Sequence, residues 1–317
     1  QLRGALLSLP HSLAGNARLE WLKPLPAKGV AGELCLFVTY AGTPRIKLHV
    51  ADHVRELVAA GIAVVLIINT DVAAGSLELP DGLRSLVQAC VVRENKGFDF
   101  AAWAHLYGVL DTNRVERLLL VNDSIVGPLD AAAFATMIGR LRACDADVVG
   151  LTQNPYPKWH LQSFFLVFNR GPLRGAVLPE LMRHIVNLDT KEAVINTYEI
   201  QLSAWLQGRG YRCQAVFANL EPGSPLPDDT FFRWSALVQS GFPYVKASIL
   251  RTVHDDPATG RLVEGPVQAQ VAQCLRNISA ILEAAGSDLQ KAVSATLIVA
   301  DEDDFAPASE EWSRWFA

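Results

Sequence analysis

Four short apolar runs separated by helical spacing constrain this chain more than any other feature. LCLFVTY (Leu34–Tyr40), AVVLIIN (Ala63–Asn69), ACVVR (Ala89–Arg93) and RLLLVN (Arg117–Asn122) are apolar on both faces and rich in strand formers. Ile46–Ala60 and Phe98–Leu110 lie between them with helical periodicity. Strands that are apolar on both faces need cover on both, and strands alternating with helices pair mostly in parallel. The expected fold class is therefore α/β, a mostly parallel sheet with flanking helices. DVVGL (Asp147–Leu151), SFFLVFN (Ser163–Asn169) and YRCQAVF (Tyr211–Phe217) extend the set of strands. Leu173–Val186 and Lys191–Gln207 read as helices, the second stopped by Gly208 and Gly210.

The flanks read differently. Residues 1–30 are irregular, with Pro10, Pro24 and Pro26, and are expected to form a loose arm or a short helix outside the core. Pro222, Pro225 and Pro227 mark a loop. After about Val253 the text changes character. A turn-rich stretch leads into a long amphipathic helix (Val267–Ala285), a strand (Lys291–Ala300) and a final helix (Ala306–Phe316). A boundary is expected near Thr252–Asp255, and no internal repeat is visible.

The 317 residues suffice for one large α/β domain and a smaller piece. Half of them are hydrophobic, a globular composition, and a net charge of -5 without a long basic run predicts no nucleic-acid partner. No apolar run approaches the roughly 20 residues of a membrane span. Five scattered cysteines without a CxxC pair read as reduced, buried thiols of a cytoplasmic protein. No signal peptide is read, and Gln1 in place of Met suits a fragment or a trimmed chain.

In open α/β sheets ligands bind beyond the carboxyl ends of the strands. The residues there are Thr39 and Tyr40, Asn69 to Asp71, Arg93 to Asp99, and Asn122 to Ser124. In RENKGFDFAAW (Arg93–Trp103), Asn95 and Gly97 suit a tight turn, Lys96 supplies a cation, and Asp99 is placed to cap the next helix. The plain alternative is an ordinary strand-to-helix loop. In LLLVNDSIVGP (Leu118–Pro128), an apolar strand ends in Asn122-Asp123-Ser124, where a carboxylate can hold a divalent metal or ribose hydroxyls. The alternative there is an Asx turn. His160 and Gln162 precede a buried strand, as sugar contacts or as satisfied loop residues. His49 and His53 have the spacing of a zinc pair on a helix but lack a third ligand motif. Trp103, Trp159 and Trp234 suit core packing better than sugar stacking.

These pieces resemble a type-A glycosyltransferase fold, in which an Asn-x-Gly loop and a strand-end acidic motif hold a sugar nucleotide. YEIQLSAWLQGRGYRC (Tyr198–Cys213) is similar to the segment that carries the general base in such enzymes, which makes Glu199 the base candidate. A narrower resemblance, over about residues 31–252, is to the rhamnan synthesis F family of polysaccharide-assembly glycosyltransferases. LFVTY, RENKGFDFAAW, LLLVNDSIVGPL, VVGLTQN, WHLQSFFLVFNR, VINTYEIQLS and TFFRWSALVQSGFPYVKASILR carry it, in order.

The resemblance implies transfer of rhamnose or a related hexose, with inversion, from a nucleotide-sugar donor to a lipid-linked or glycan acceptor. The product would be a growing cell-surface polysaccharide of the O-antigen or cell-wall kind. It implies a cytoplasmic protein at the inner face of the inner membrane. Glu199 is then the catalytic base and Asp123 the residue at the diphosphate or at its metal, Mg²⁺ or Mn²⁺. Thr39, Tyr40, Asp71, Arg93, Asn95, Lys96, Gly97, Asp99, Asn122 and Ser124 surround the donor, and His160 and Gln162 face acceptor or sugar. Asn-Asp-Ser stands where the family of folds carries Asp-x-Asp, so one carboxylate is missing and metal dependence is left open. Asp256–Phe316 is similar to the middle of the RidA/YjgF enamine/imine deaminases, without the opening strand and without the later arginine and glutamate of their site. No deaminase activity is expected from it. The functional alternatives are such a deaminase or a non-catalytic glycan or nucleotide binder.

Overall fold

Alternate residues of one strand face opposite sides of a sheet, so a run such as Leu34-Cys35-Leu36-Phe37 forces two covered faces. The computed structural model describes residues 13–224, 228–251, 255–256, 261–284, 287–292, 297, 299 and 301–316. The chain divides between Ala218 and Asn219 into two compact units.

The first unit is built on an eight-stranded sheet. Its elements are β1 (Leu19–Lys23), β2 (Gly32–Ala41), β3 (Ala63–Thr70), β4 (Ala89–Glu94), β5 (Val115–Asn122), the two-residue β6 (Ile125–Val126), β7 (Val148–Gly150), the short β8 (Gln153–Asn154) and β9 (His160–Leu161), β10 (Phe165–Phe168) and β11 (Cys213–Ala215). The sheet order is β1-β4-β3-β2-β5-β10-β7-β11. Strands β4, β3, β2 and β5 are mutually parallel, β7 and β11 pair in parallel, and β1 and β10 run against their neighbours. The α/β expectation holds.

Leu34, Leu36 and Val38 of β2 pack on one face with Phe100, Trp103, Leu178 and Leu202 from the helices that cover it. The Leu48–Ala59 helix covers the other face, where His53 lies edge-on to Phe37 at 5.1 Å and stacks with Phe165 at 6.3 Å.

Three sequence expectations change. The stretch read as a loose arm or a short helix holds a short 3-10 helix, Leu13–Asn16, but also forms β1, paired antiparallel with the otherwise open edge of β4, and Ala14 and Val30 are buried. Pro24 directly follows the strand and ends it instead of preventing it. The helix expected over 173–186 is two pieces, Arg170–Arg174 and Val177–His184, because Gly175 between them is extended. The last strand keeps only Cys213–Ala215 in the ladder. Lys191–Gln207 is helical throughout as expected, but in three pieces, with a π-helical turn over Ile195–Glu199. Its end is a paired-hydrogen-bond stop: Gly210 is left-handed (φ +86°), Tyr211 N donates to Leu206 O and Gly210 N to Gln207 O.

In the second unit the Val267–Ala284 helix packs on the Phe305–Trp315 helix around Val271, Leu275 and Ala308. Asp255–Asp256 and Arg261–Leu262 form a two-stranded antiparallel ladder. Of the strand expected over 291–300, Lys291 closes a 3-10 turn and most of the rest lies outside the described residues.

Candidate functional site

The chain leaves β2 for β3 on one side, and β5 later inserts on the other, so the sheet has its switch point between β2 and β5. A crevice opens at the carboxyl ends of strands at such a point. Asp123, the first residue after β5, occupies it. Its Oδ2 accepts hydrogen bonds from Thr39 Oγ1 (2.5 Å), Tyr40 N (3.2 Å) and Lys47 Nζ (2.6 Å). Its backbone N donates to Val38 O at 3.1 Å. Thr39 is buried and Tyr40 is exposed at the rim. Sequence reading did not single out Lys47. A lone lysine in a turn carries no spacing signal; only its place just beyond the end of β2 could have drawn attention to it.

Asn122 turns away from Asp123. Its Oδ1 accepts from Ser124 N (3.0 Å) and Ser124 Oγ (2.5 Å), the Asx turn weighed as the plain alternative. Its Nδ2 donates to Asp99 Oδ2 at 2.5 Å, which ties the end of β5 to the helix after β4.

The β4-to-helix turn is built around two consecutive left-handed residues, Gly97 (φ +69°) and Phe98 (φ +57°). A Cβ on Gly97 would stand 2.6 Å from Ala101 Cβ and 2.6 Å from Asn187 Cα, so the turn admits glycine alone. Gly97 is also the N-cap of the Phe98–Val109 helix, the place expected for Asp99. Asp99 lies inside the first turn, where Oδ1 accepts from Phe100 N at 2.9 Å. Asn95 Nδ2 donates to Asp71 at 3.2 Å, which joins the turns after β4 and β3. Lys96 is exposed and paired with Glu94 at 2.7 Å.

Arg93 was expected near the donor but is fully buried. Its guanidinium donates to Lys96 O (2.5 Å), Glu94 O (3.2 Å), Ala14 O (3.3 Å) and Asn187 Oδ1 (2.9 Å). Burial pushes its pKa down to about 10. Arg93 therefore holds the turn from beneath through these internal partners.

Glu199 comes from the opposite side. A π-helical turn, Ile195–Glu199, interrupts the helix there, a distortion common at functional sites. Glu199 Oε2 accepts from Ser163 N at 2.8 Å and from Ser163 Oγ. Burial first, and the charge of Glu199 second, raise the pKa of Asp99 to about 6. Glu199 is thus near enough for its charge to be felt at Asp99, which Asn122 also bonds.

His160 and Gln162, expected as sugar contacts, are held within their own loop and strand. Both are buried; His160 Nδ1 bonds Lys158 O at 2.8 Å, and Gln162 Oε1 accepts from Thr152 Oγ1 at 2.7 Å. His53 is a core residue whose burial pushes its pKa down to about 3, and among the described residues no group of three or more His, Cys, Asp or Glu could hold a metal ion. Trp103 is core and donates to Leu36 O at 3.0 Å.

Comparison with known proteins adds to this geometry. Virulence protein VirA of Vibrio anguillarum is 27% identical over 206 residues, which are 52% of this chain and 64% of that protein. The 2-iminobutanoate/2-iminopropanoate deaminase of Bos taurus is 38% identical over 81 residues, 23% of this chain and 59% of that one. The chain thus spans less than two thirds of either relative. A solved mannosyltransferase from Pyrobaculum calidifontis, in complex with GDP-Man and Mn²⁺, covers 98% of this chain and 83% of its own with 14% identity and a TM-score of 0.34, a likeness too slight to argue from. Residues 252–317 match the Endoribonuclease L-PSP family model. Residues 64–281, well over half the chain, match the model of Rhamnan synthesis protein F, and the chain belongs to that family.

Proposed function

We propose that this chain is a glycosyltransferase that moves a sugar, rhamnose or a related hexose, from a nucleotide-sugar donor to a growing cell-surface polysaccharide. The observation that supports this reading is Asp123 at the β2/β5 switch point, where its carboxylate gathers Thr39, Tyr40 and Lys47; Glu199, on a separate element, is the candidate for the second carboxylate. Glycosyl transfer needs both ends: one to place the leaving diphosphate, one to take the acceptor's proton.

In this reading the donor lies over the carboxyl ends of β2 and β5, with the Gly97 turn and Asn95 beside it. Ser163 fixes one oxygen of Glu199, and the other is turned to the acceptor. Glu199 takes the hydroxyl proton as the acceptor oxygen bonds to the anomeric carbon. The bond from that carbon to the phosphate oxygen breaks, and the nucleoside diphosphate leaves with the electron pair. A lipid-linked acceptor would bring the reaction to the cytoplasmic face of the inner membrane. No helix among the described residues is long and apolar enough to cross one.

The test is transfer from a panel of nucleotide sugars to a synthetic or lipid-linked acceptor by the purified chain. Activity lost in both Glu199→Gln and Asp123→Ala is expected. Unchanged rates in both would remove the site assignment, and donor binding without turnover of any acceptor would favour a non-catalytic binder. The L-PSP-like segment is proposed to have no deaminase role. Catalytic acceleration of imine hydrolysis, read by semicarbazide trapping, would overturn that.

A further inference from the structure

We propose that Lys47 stands in for a divalent metal at Asp123 and binds the donor diphosphate directly, so that this chain takes up its donor without Mg²⁺ or Mn²⁺. The inference rests on the transferase reading and names the group that meets the donor's charge.

The donor atoms around Asp123 do not suit a metal. Hard dications take several oxygen ligands at once. Asp123 Oδ2 already accepts from a hydroxyl, a backbone amide and an ammonium. The Lys47 Nζ, 2.6 Å from that oxygen, puts a full positive charge where a dication on the same carboxylate would sit, and two cations that close repel strongly. Asn122 offers nothing in place of the missing second carboxylate: its Oδ1 is taken by Ser124 and its Nδ2 points to Asp99.

Lys47 has the attributes of an anion ligand. Its side chain is 41% exposed beside an Asp123 side chain that is 15% exposed, so the ammonium stands at the mouth of the crevice. It has three N–H donors, and one is held by Asp123, which leaves the others for phosphate oxygens. It also precedes the first turn of the twelve-residue Leu48–Ala59 helix, whose N-cap makes no side-chain hydrogen bond. The helix end adds potential of the same sign. Asp123 then acts as a positioning residue that aims Lys47.

Calorimetric titration of UDP, GDP and dTDP into the wild-type chain, Lys47→Ala, Lys47→Gln and Lys47→Arg, in EDTA and in Mn²⁺, tests this. At least one diphosphate is expected to bind in EDTA with a Kd that Mn²⁺ leaves nearly unchanged. Loss of one charged hydrogen-bonding partner should weaken it about tenfold or more in Lys47→Ala and Lys47→Gln, and Lys47→Arg should largely restore it. Lys47→Gln keeps the side-chain length and serves if the alanine variant does not fold. Binding that appears only with Mn²⁺ would overturn the inference and leave the transferase reading standing. So would wild-type affinity in the folded Lys47→Gln variant in EDTA overturn the part given to the lysine. Absence of any diphosphate binding in both conditions would instead count against the transferase reading itself, and the inference would fall with it.

Discussion

The ring of Tyr198 stacks on that of Phe100, with centroids 5.3 Å apart and planes 29° apart. Each ring is the sequence neighbour of a carboxylate, Glu199 and Asp99. The Tyr198 hydroxyl is held by the backbone of Val186, accepting from its N at 2.9 Å and donating to its O at 3.3 Å. An aromatic contact inside the core thus joins the helix that begins with Asp99 in its first turn to the π-helical turn that ends at Glu199.

A first prediction concerns Asp99. Its folded pKa of about 6 lies above the ordinary value of about 3.9. Between those values the folded chain holds more protons than the unfolded one, so stability falls as pH rises from about 4 through about 6 and then levels off. The full penalty is about 3 kcal/mol at most, at 1.36 kcal/mol per unit. Asp99→Asn removes it but also loses one acceptor for Phe100 N or Asn122. The stability gap between variant and wild type should therefore move in the variant's favour by roughly 2–3 kcal/mol between pH 4 and pH 7.5. Urea denaturation across that range reads it; a gap independent of pH would contradict the raised pKa.

Glu199 and Asp123 should separate in kinetics. Glu199→Gln keeps an oxygen for the two Ser163 donors, so folding should be nearly unchanged. Loss of a general base lowers kcat by about 10²–10⁴-fold, with donor affinity retained. Asp123→Ala frees Lys47 and Thr39 from their shared acceptor and should raise the Kd for donor. Initial rates and titration calorimetry on the same preparations measure both. A Glu199→Gln variant that loses donor affinity but not kcat would reverse the two roles.

The parallel core was legible because burial on both faces writes long apolar runs, and β2 to β5 lie within a residue or two of where those runs stand. The strand ends singled out by the same logic include those of β2 and β5, where the sheet has its switch point. Three things were not. Arg93 looks like a surface cation in sequence, and only the packing of Ala14 and Asn187 over it shows that it is internal. Lys47 depends on where one turn folds. Strand β1 has a pairing partner 70 or so residues away (Trp21 opposite Val91), and a five-residue segment between prolines carries too little periodicity to reveal a non-local partner.

Gly97→Ala should be among the most damaging single changes in the first unit. A left-handed backbone costs a residue with a Cβ roughly 1–2 kcal/mol. The new methyl would also meet Asn187 Cα at 2.6 Å, a backbone atom that cannot rotate away, and such overpacking costs about 1–3 kcal/mol more. A loss of roughly 2–5 kcal/mol in the urea midpoint analysis is expected, together with weaker diphosphate binding because Asn95 and Asp99 move with the turn. Tolerance of alanine would show that the turn is not held in this conformation.

Arg93 offers the sharpest test of how the turn is made. Its guanidinium reaches three backbone carbonyls and the Asn187 amide oxygen from one buried position. Arg93→Met leaves those acceptors unpaired, at about 1–3 kcal/mol for each that finds no water, so a loss on the order of 3 kcal/mol or more is expected. Arg93→Lys keeps the charge but not the planar fork, and one ammonium cannot span acceptors on both sides, so it should recover only part of the loss. Denaturation midpoints rank the three proteins. If Arg93→Lys is instead as stable as wild type and fails only to bind a nucleoside diphosphate, the guanidinium reaches the donor after all, and the residue that holds the turn from beneath must be sought elsewhere.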